Sequence, residues 1–64
     1  MLKRRTETTD NMWLGDNELV IVFTDGRYAV IESYEENEIV FAGHYNECLD
    51  YLNDRYNEYL VSLV

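Results

Sequence analysis

"ELVIVFTDGRYAVIESY", Glu18 to Tyr34, decides how this chain folds. β-branched and aromatic residues dominate both halves, and neither half shows the three- and four-residue spacing of a helix. Between them stands Asp25-Gly26. An Asp-Gly pair between two such runs is a strong hairpin signal, because glycine accepts the positive φ that a tight turn demands. The stretch therefore reads as two antiparallel strands, at about 18–24 and 27–34.

Working outward, "EENE" (Glu35 to Glu38) is a second, very acidic turn, and "IVFAG" (Ile39 to Gly43) carries a third strand at about 38–43. No connection is long enough for a crossover, so the three strands form an antiparallel meander. The pattern then changes. Tyr45, Cys48, Leu49, Leu52, Tyr56, Tyr59, Leu60 and Leu63 recur at steps of three and four, and no proline interrupts them. That is the apolar stripe of an amphipathic helix, expected over about 45–60 and fraying towards Val64. Asn46 is its expected N-cap, with Glu47 and Asp50 near the positive end of the helix dipole. Upstream, "GDN" (Gly15 to Asn17) reads as a turn, and the ordered part is expected to begin at Trp13 and Leu14. Residues 1–12 read as a flexible lead-in. The fold class is α+β: a three-stranded meander and one C-terminal helix on one sheet face, in a single domain over 13–64.

Strand pairing decides which side chains the helix covers. A two-residue turn pairs Phe23 with Tyr28, whereas a three-residue loop with a bulge at Gly26 pairs Phe23 with Arg27. The bulged register is the expected one, because it gathers Leu19, Ile21, Phe23, Ala29 and Ile31 under the helix. Val20, Val22, Tyr28, Val30 and Tyr34 then form an outer face that is too apolar to leave in water without a role. Either Met12, Trp13 and Leu14 fold back over it, or it is an interface. Tyrosine suits an interface, having an apolar body and a hydrogen-bonding tip.

The chain has 64 residues, 47% of them hydrophobic, with six tyrosines, two phenylalanines and one tryptophan. A domain this small buries only about 60% of the surface its unfolded chain exposes, so its stability margin is thin. Association with a partner or a second copy is a natural supplement. Cys48 is the single cysteine, so no internal disulfide is expected. "MLKRRTETTD" has a basic start but no apolar stretch behind it, which argues against a secretory signal. Apolar runs reach about five residues, against the ~20 of a membrane span. A soluble, cytoplasmic protein is the expectation, with no membrane partner.

Charge is the unusual feature. The net charge is −8, and Lys3, Arg4 and Arg5 supply three of the five basic residues. Beyond Arg5, two bases (Arg27 and Arg55) face thirteen acids, a balance of −11. Such a body repels nucleic acid and anionic lipid and attracts basic protein surfaces. The Lys3-Arg4-Arg5 cluster is a weak nucleic-acid signal beside it.

Catalytic chemistry finds little to work with. His44 and Cys48 stand four residues apart and could meet near the helix start as a Cys/His pair, but no further group supports them. A zinc site needs about four nitrogen or sulfur ligands, and two are present. Neither acidic loop matches the alternating oxygen pattern of a calcium loop, and Gly15, Gly26 and Gly43 are too scattered for a phosphate loop. The expectation is a non-enzyme with no metal and no cofactor.

The helix offers a surface instead. At ~100° and ~1.5 Å per residue, Glu47, Asp50, Asp54 and Glu58 fall within about 80° of arc along roughly 16 Å. That is about one charge per 4 Å, a fair match to the ~3.4 Å phosphate spacing of one DNA strand and a poor one to a duplex. Tyr51 lies beside the line to supply contact area, and Glu35, Glu36 and Glu38 add carboxylates at a sheet end. The solvent side of any amphipathic helix in an acidic protein has the same pattern.

In size, acidity and tyrosine content, residues 13–64 resemble the small inhibitors that phages and mobile elements encode against host machinery, the DNA mimics and anti-CRISPR proteins. The resemblance rests on no motif and carries over no residue. It implies a stoichiometric inhibitor whose acidic surface occupies a basic, nucleic-acid-binding site on a host protein. The alternative is a small homodimeric or adaptor protein that works through Tyr28, Val30 and Tyr34.

Overall fold

The computed structural model describes residues 10–64, and the Lys3-Arg4-Arg5 cluster lies outside them. Four strands and a helix follow one another: β1 (Asn11–Leu14), β2 (Asn17–Thr24), β3 (Arg27–Glu32), β4 (Glu38–Gly43) and α1 (Tyr45–Ser62), with a 3-10 turn at Ser33–Glu35. The strands form one antiparallel sheet in sequential order, and the helix packs across one face. The α+β class and the C-terminal helix are as expected. The sheet has four strands rather than three, because Asn11 and Met12, expected in the lead-in, pair with Val20 and Leu19.

The β2–β3 register corrects the expected bulge. Phe23 pairs with Tyr28 and Thr24 with Arg27, leaving Asp25 and Gly26 as a two-residue turn. Their φ values, 54° and 77°, are both left-handed. That is the geometry whose twist matches the flanking strands. The register faces Leu19, Ile21 and Val30 towards the helix and turns Val20, Val22, Ala29 and Ile31 outward. The irregularity lies instead between β3 and β4, where Val30 pairs with Phe41 but Ile31 with Ile39, so Val40 is the extra residue.

Leu14, Leu19, Ile21, Val30, Cys48 and Leu52 form the buried core, flanked by Met12, Tyr28, Phe41, Tyr45, Leu49, Tyr51 and Tyr59. Aromatic contacts close it at one end. Phe23 meets Tyr28 edge-on at 4.9 Å between centroids, and Tyr28 meets Tyr45 at 5.2 Å. The expected helical stripe is packed from Tyr45 to Leu52 and again at Tyr59, while Tyr56, Leu60 and Leu63 are exposed, Tyr56 at the edge of the β1 side.

The helix starts earlier than an Asn46 cap would place it. His44 is the N-cap, and its N–H donates to Glu47 Oε1 at 2.8 Å. Gly43 makes this possible, since a Cβ there would stand 2.5 Å from that oxygen. At the other end of the sheet, β3 stops at Glu32 rather than continuing to Tyr34. Asn17 Oδ1 accepts from Tyr34 N–H at 3.0 Å and from Ser33 Oγ at 3.1 Å, and Ser33 Oγ accepts from Glu18 N–H at 2.8 Å. These bonds draw the chain out of the strand into the 3-10 turn.

Candidate functional site

Glu47, Asp50, Asp54 and Glu58 are all exposed on α1. Tyr51 orients the line relative to the sheet. Its ring stacks on Phe41 of β4 at 5.0 Å with planes 15° apart. Glu47, Asp54 and Glu58 lie within about 60° of Tyr51 around the helix axis, so the acidic flank overhangs the β4 side. Tyr51 is half-buried in this packing. On the opposite flank, Leu49, Asn53 and Tyr56 line a groove of about 360 Å³ with Asp10, Asn11 and Met12.

The acidic turn joins the line at its far end. Tyr34 of the 3-10 turn shares a shallow groove with Arg55, Glu58 and Tyr59. Glu35, Glu36 and Glu38, all exposed, therefore belong to a turn near the Glu58 end of the helix rather than its start. Glu36 and the adjacent Asn37 have φ values of 59° and 60°, which close the turn tightly.

Members of the line differ in what already holds them. Glu47 caps His44, and Glu58 lies 3.8 Å from Arg55 Nε. Asp50 and Asp54 project from the middle of the helix. Among the described residues, the ion pairs are those of Arg55, and its main partner is buried. Nη1 and Nη2 donate to Glu32 Oε1 and Oε2 at 2.8 and 3.0 Å, and Asn17 Nδ2 donates to the same carboxylate at 2.8 Å. Arg55 also donates to Tyr51 Oη at 3.2 Å. The guanidinium holds the Glu32 carboxyl below the usual range, and the carboxylate raises the Arg55 pKa in turn. The base nearest the acidic flank is thus drawn inward and neutralises a buried acid more than the surface.

The residues of the alternative interface do not form one. Val30 is fully buried beneath the helix, Tyr28 is half-buried against Tyr45, and Tyr34 has left the strand, its hydroxyl bonded to Asp16. The outward positions hold Val20, Val22 and Ile31, all partly buried, with Ala29 fully buried between them, and are flanked by Trp13 and Ile39, which are 55% and 52% exposed. Trp13, expected to fold back over the outer face, lies on it through the pairing of β1 with β2, and Ile39 is brought there by the irregularity at Val40.

His44 is exposed while Cys48 is fully buried, and burial pushes the thiol pKa up. A raised pKa lowers the thiolate fraction that a nucleophile needs. Tyr45 donates its hydroxyl to Asp10, which pushes its pKa up to about 12. No group of metal-ligating side chains gathers among the described residues, and no helix there is long and apolar enough to cross a membrane.

Fold and surface together define a small α+β protein, a four-stranded meander carrying one acidic-flanked helix. Comparison of the chain with protein-family models, curated proteins and solved structures yields no match.

Proposed function

We propose that this protein is a non-enzymatic inhibitor whose acidic helix flank occupies a basic, nucleic-acid-binding site on another protein. Asp50, Asp54 and Glu58 carry the interaction with Glu47, and Glu35, Glu36 and Glu38 continue it. A host-directed inhibitor of the kind phages and mobile elements encode, an anti-CRISPR or DNA mimic acting in the host cytoplasm, is its most concrete form. Tyr51, stacked on Phe41, holds the flank over β4 and adds contact area beside it.

The observation that carries the reading is the segregation of charge. Seven exposed carboxylates lie on one helix flank and on the turn near its Glu58 end, while Arg55 is committed to buried Glu32. A charge array of this kind raises encounter rates with a basic groove and loses affinity as salt screens it.

The test is a pull-down from host lysate with the full chain, washed at rising salt, beside the Asp50→Lys/Asp54→Lys double variant. Recovery of a nucleic-acid-binding protein that salt releases and the double variant fails to capture supports the proposal. Capture that survives both, or capture of no such protein, refutes it.

A further inference from the structure

We infer that the outer edge of β1 is a second binding site, where an extended basic segment of a partner protein adds to the sheet as a further strand. This goes beyond the acidic-flank reading, since β1 lies on the other side of the helix from Tyr51 and Glu58.

The two edges of the sheet differ. β4 is interrupted by the extra residue Val40, and Tyr51 stacks over its Phe41. Irregularity and cover are common defences of an edge strand. β1 pairs with β2 in unbroken register, and its four residues include no lysine and no proline. Asp10 C=O accepts from Ile21 N–H at 2.9 Å, in step with that register. Bonded positions alternate along an antiparallel pair, so Asp10, Met12 and Leu14 bond towards β2, while Asn11 and Trp13 turn their N–H and C=O groups outward. Among the described residues no strand pairs with that edge. Two donors and two acceptors at strand spacing are what another extended backbone satisfies.

Side chains set the partner's chemistry. A residue of the added strand opposite Met12 points to the helix side. There it enters the groove of about 360 Å³ between β1 and Leu49, Asn53 and Tyr56, whose apolar floor takes an apolar side chain. The neighbours of that residue, opposite Asn11 and Trp13, fall on the outer face beside Glu18 and the exposed Trp13 ring. Asp10 and Glu18 border the edge, and the residues lining it include no base. A lysine or arginine at either neighbouring position meets a carboxylate or an aromatic ring. The occupant is therefore an extended strand reading basic–apolar–basic. β1 offers only two outward residues, so the contact is weak, with a dissociation constant on the order of 10–100 μM.

The test uses the isotope-labelled full chain and, as probe, a blocked heptapeptide alternating lysine and valine. At about 1 mM peptide the Asn11 and Trp13 amides should shift and exchange at least about tenfold more slowly. N-methylation of the peptide's lysines, which removes the donors facing β1, should weaken binding at least about tenfold. Tyr56→Ala, at an exposed position on the groove, should weaken it at least about threefold, with circular dichroism confirming the fold. Asp54→Asn/Glu58→Gln, on the acidic flank, should change it by less than about twofold. Absence of binding up to about 1 mM peptide overturns the inference, as does equal binding of the N-methylated peptide or by Tyr56→Ala. So does loss of binding in Asp54→Asn/Glu58→Gln, which would put the peptide on the acidic flank. Asn11 and Trp13 amides already protected in the free chain overturn it too, because the edge is then covered from within the chain.

Discussion

Glu32 is the residue on which this small fold takes its largest electrostatic risk. It is 5% exposed, points at the helix from β3, and is tolerated because Arg55 and Asn17 meet both of its oxygens. Removing one partner of a buried pair leaves the other charge uncompensated, typically at a cost of 3–5 kcal/mol. The Arg55 side chain is 28% exposed, so water recovers part of that. Arg55→Ala is expected to cost about 2–3 kcal/mol in urea unfolding, and a loss below about 0.5 kcal/mol would show the pair to be incidental. Acid should expose the same coupling. Because folding lowers the Glu32 pKa, its contribution is complete above the ordinary carboxylate value of about 4.3 and is lost as pH falls through the folded value. Glu32→Gln should therefore be less stable at neutral pH and lose less between about pH 4.5 and 2; parallel acid curves for the two proteins would refute the assignment. Cys48 makes the opposite case, an ionisable group with nothing to ionise for. Its alkylation should proceed no faster than the chain unfolds, and fast reaction of the folded protein would reopen a Cys/His chemistry that its burial argues against.

At the scale of elements, two glycines carry consequences of different size. Gly26 closes the β2–β3 turn at φ 77°, a conformation costing a side chain roughly 1 kcal/mol, so Gly26→Ala should lower stability by about that amount. Gly43→Ala meets only the flexible end of Glu47, which can swing away. It should cost about 0.5–1 kcal/mol through the lost bond to His44 N–H, and Glu47→Gln, which keeps an acceptor, should cost less. Equal losses from Gly43→Ala and Glu47→Gln would point to the charge and not to the acceptor. The strands and the helix were legible in the sequence because each has one dominant period. The hairpin register was not, because β2 and β3 are apolar on both faces, and alternation discriminates only where one face is polar. β1 escaped because four residues opening on an asparagine carry too little pattern to read as a strand. The packing partner of Tyr51 was not legible either, for a geometric reason. It lies at the border of the buried stripe, where a long side chain can lean either way, and only Phe41 on β4 decides which. The acidic line itself was readable, since exposed positions on a regular helix follow from spacing alone. The nearness of the Glu35–Glu38 turn to its Glu58 end depended on which end of the sheet adjoins the helix terminus, a tertiary fact.

For the molecule as a whole, salt acts in opposite directions on the free fold and on the complex. The body beyond Arg5 carries −11, and the ion pairs of its described part centre on one arginine. Self-repulsion therefore outweighs attraction in the folded state, and compactness is maintained against it by the core under α1. Screening relieves repulsion over distances beyond about 8 Å at physiological salt, while the buried Glu32–Arg55 pair is shielded from it. Raising sodium chloride from about 10 to about 200 mM should accordingly raise the melting temperature of the free protein by a few degrees, an effect on the order of 1 kcal/mol. A surface stabilised by ion pairs would do the reverse. Asp50→Lys/Asp54→Lys should reduce this salt gain, because it removes two negative charges from the flank that repels itself most and puts two positive ones there, a net change of +4. If the variant is as salt-dependent as the parent, the helix flank is not where the repulsion concentrates. The complex should respond in the contrary direction, weakening over the same salt range that stabilises the free protein. Thermal melts of the free chain and the salt profile of the captured complex thus read the same carboxylates twice: once as a strain on the fold, and once as the attraction that offsets it when a basic groove is present.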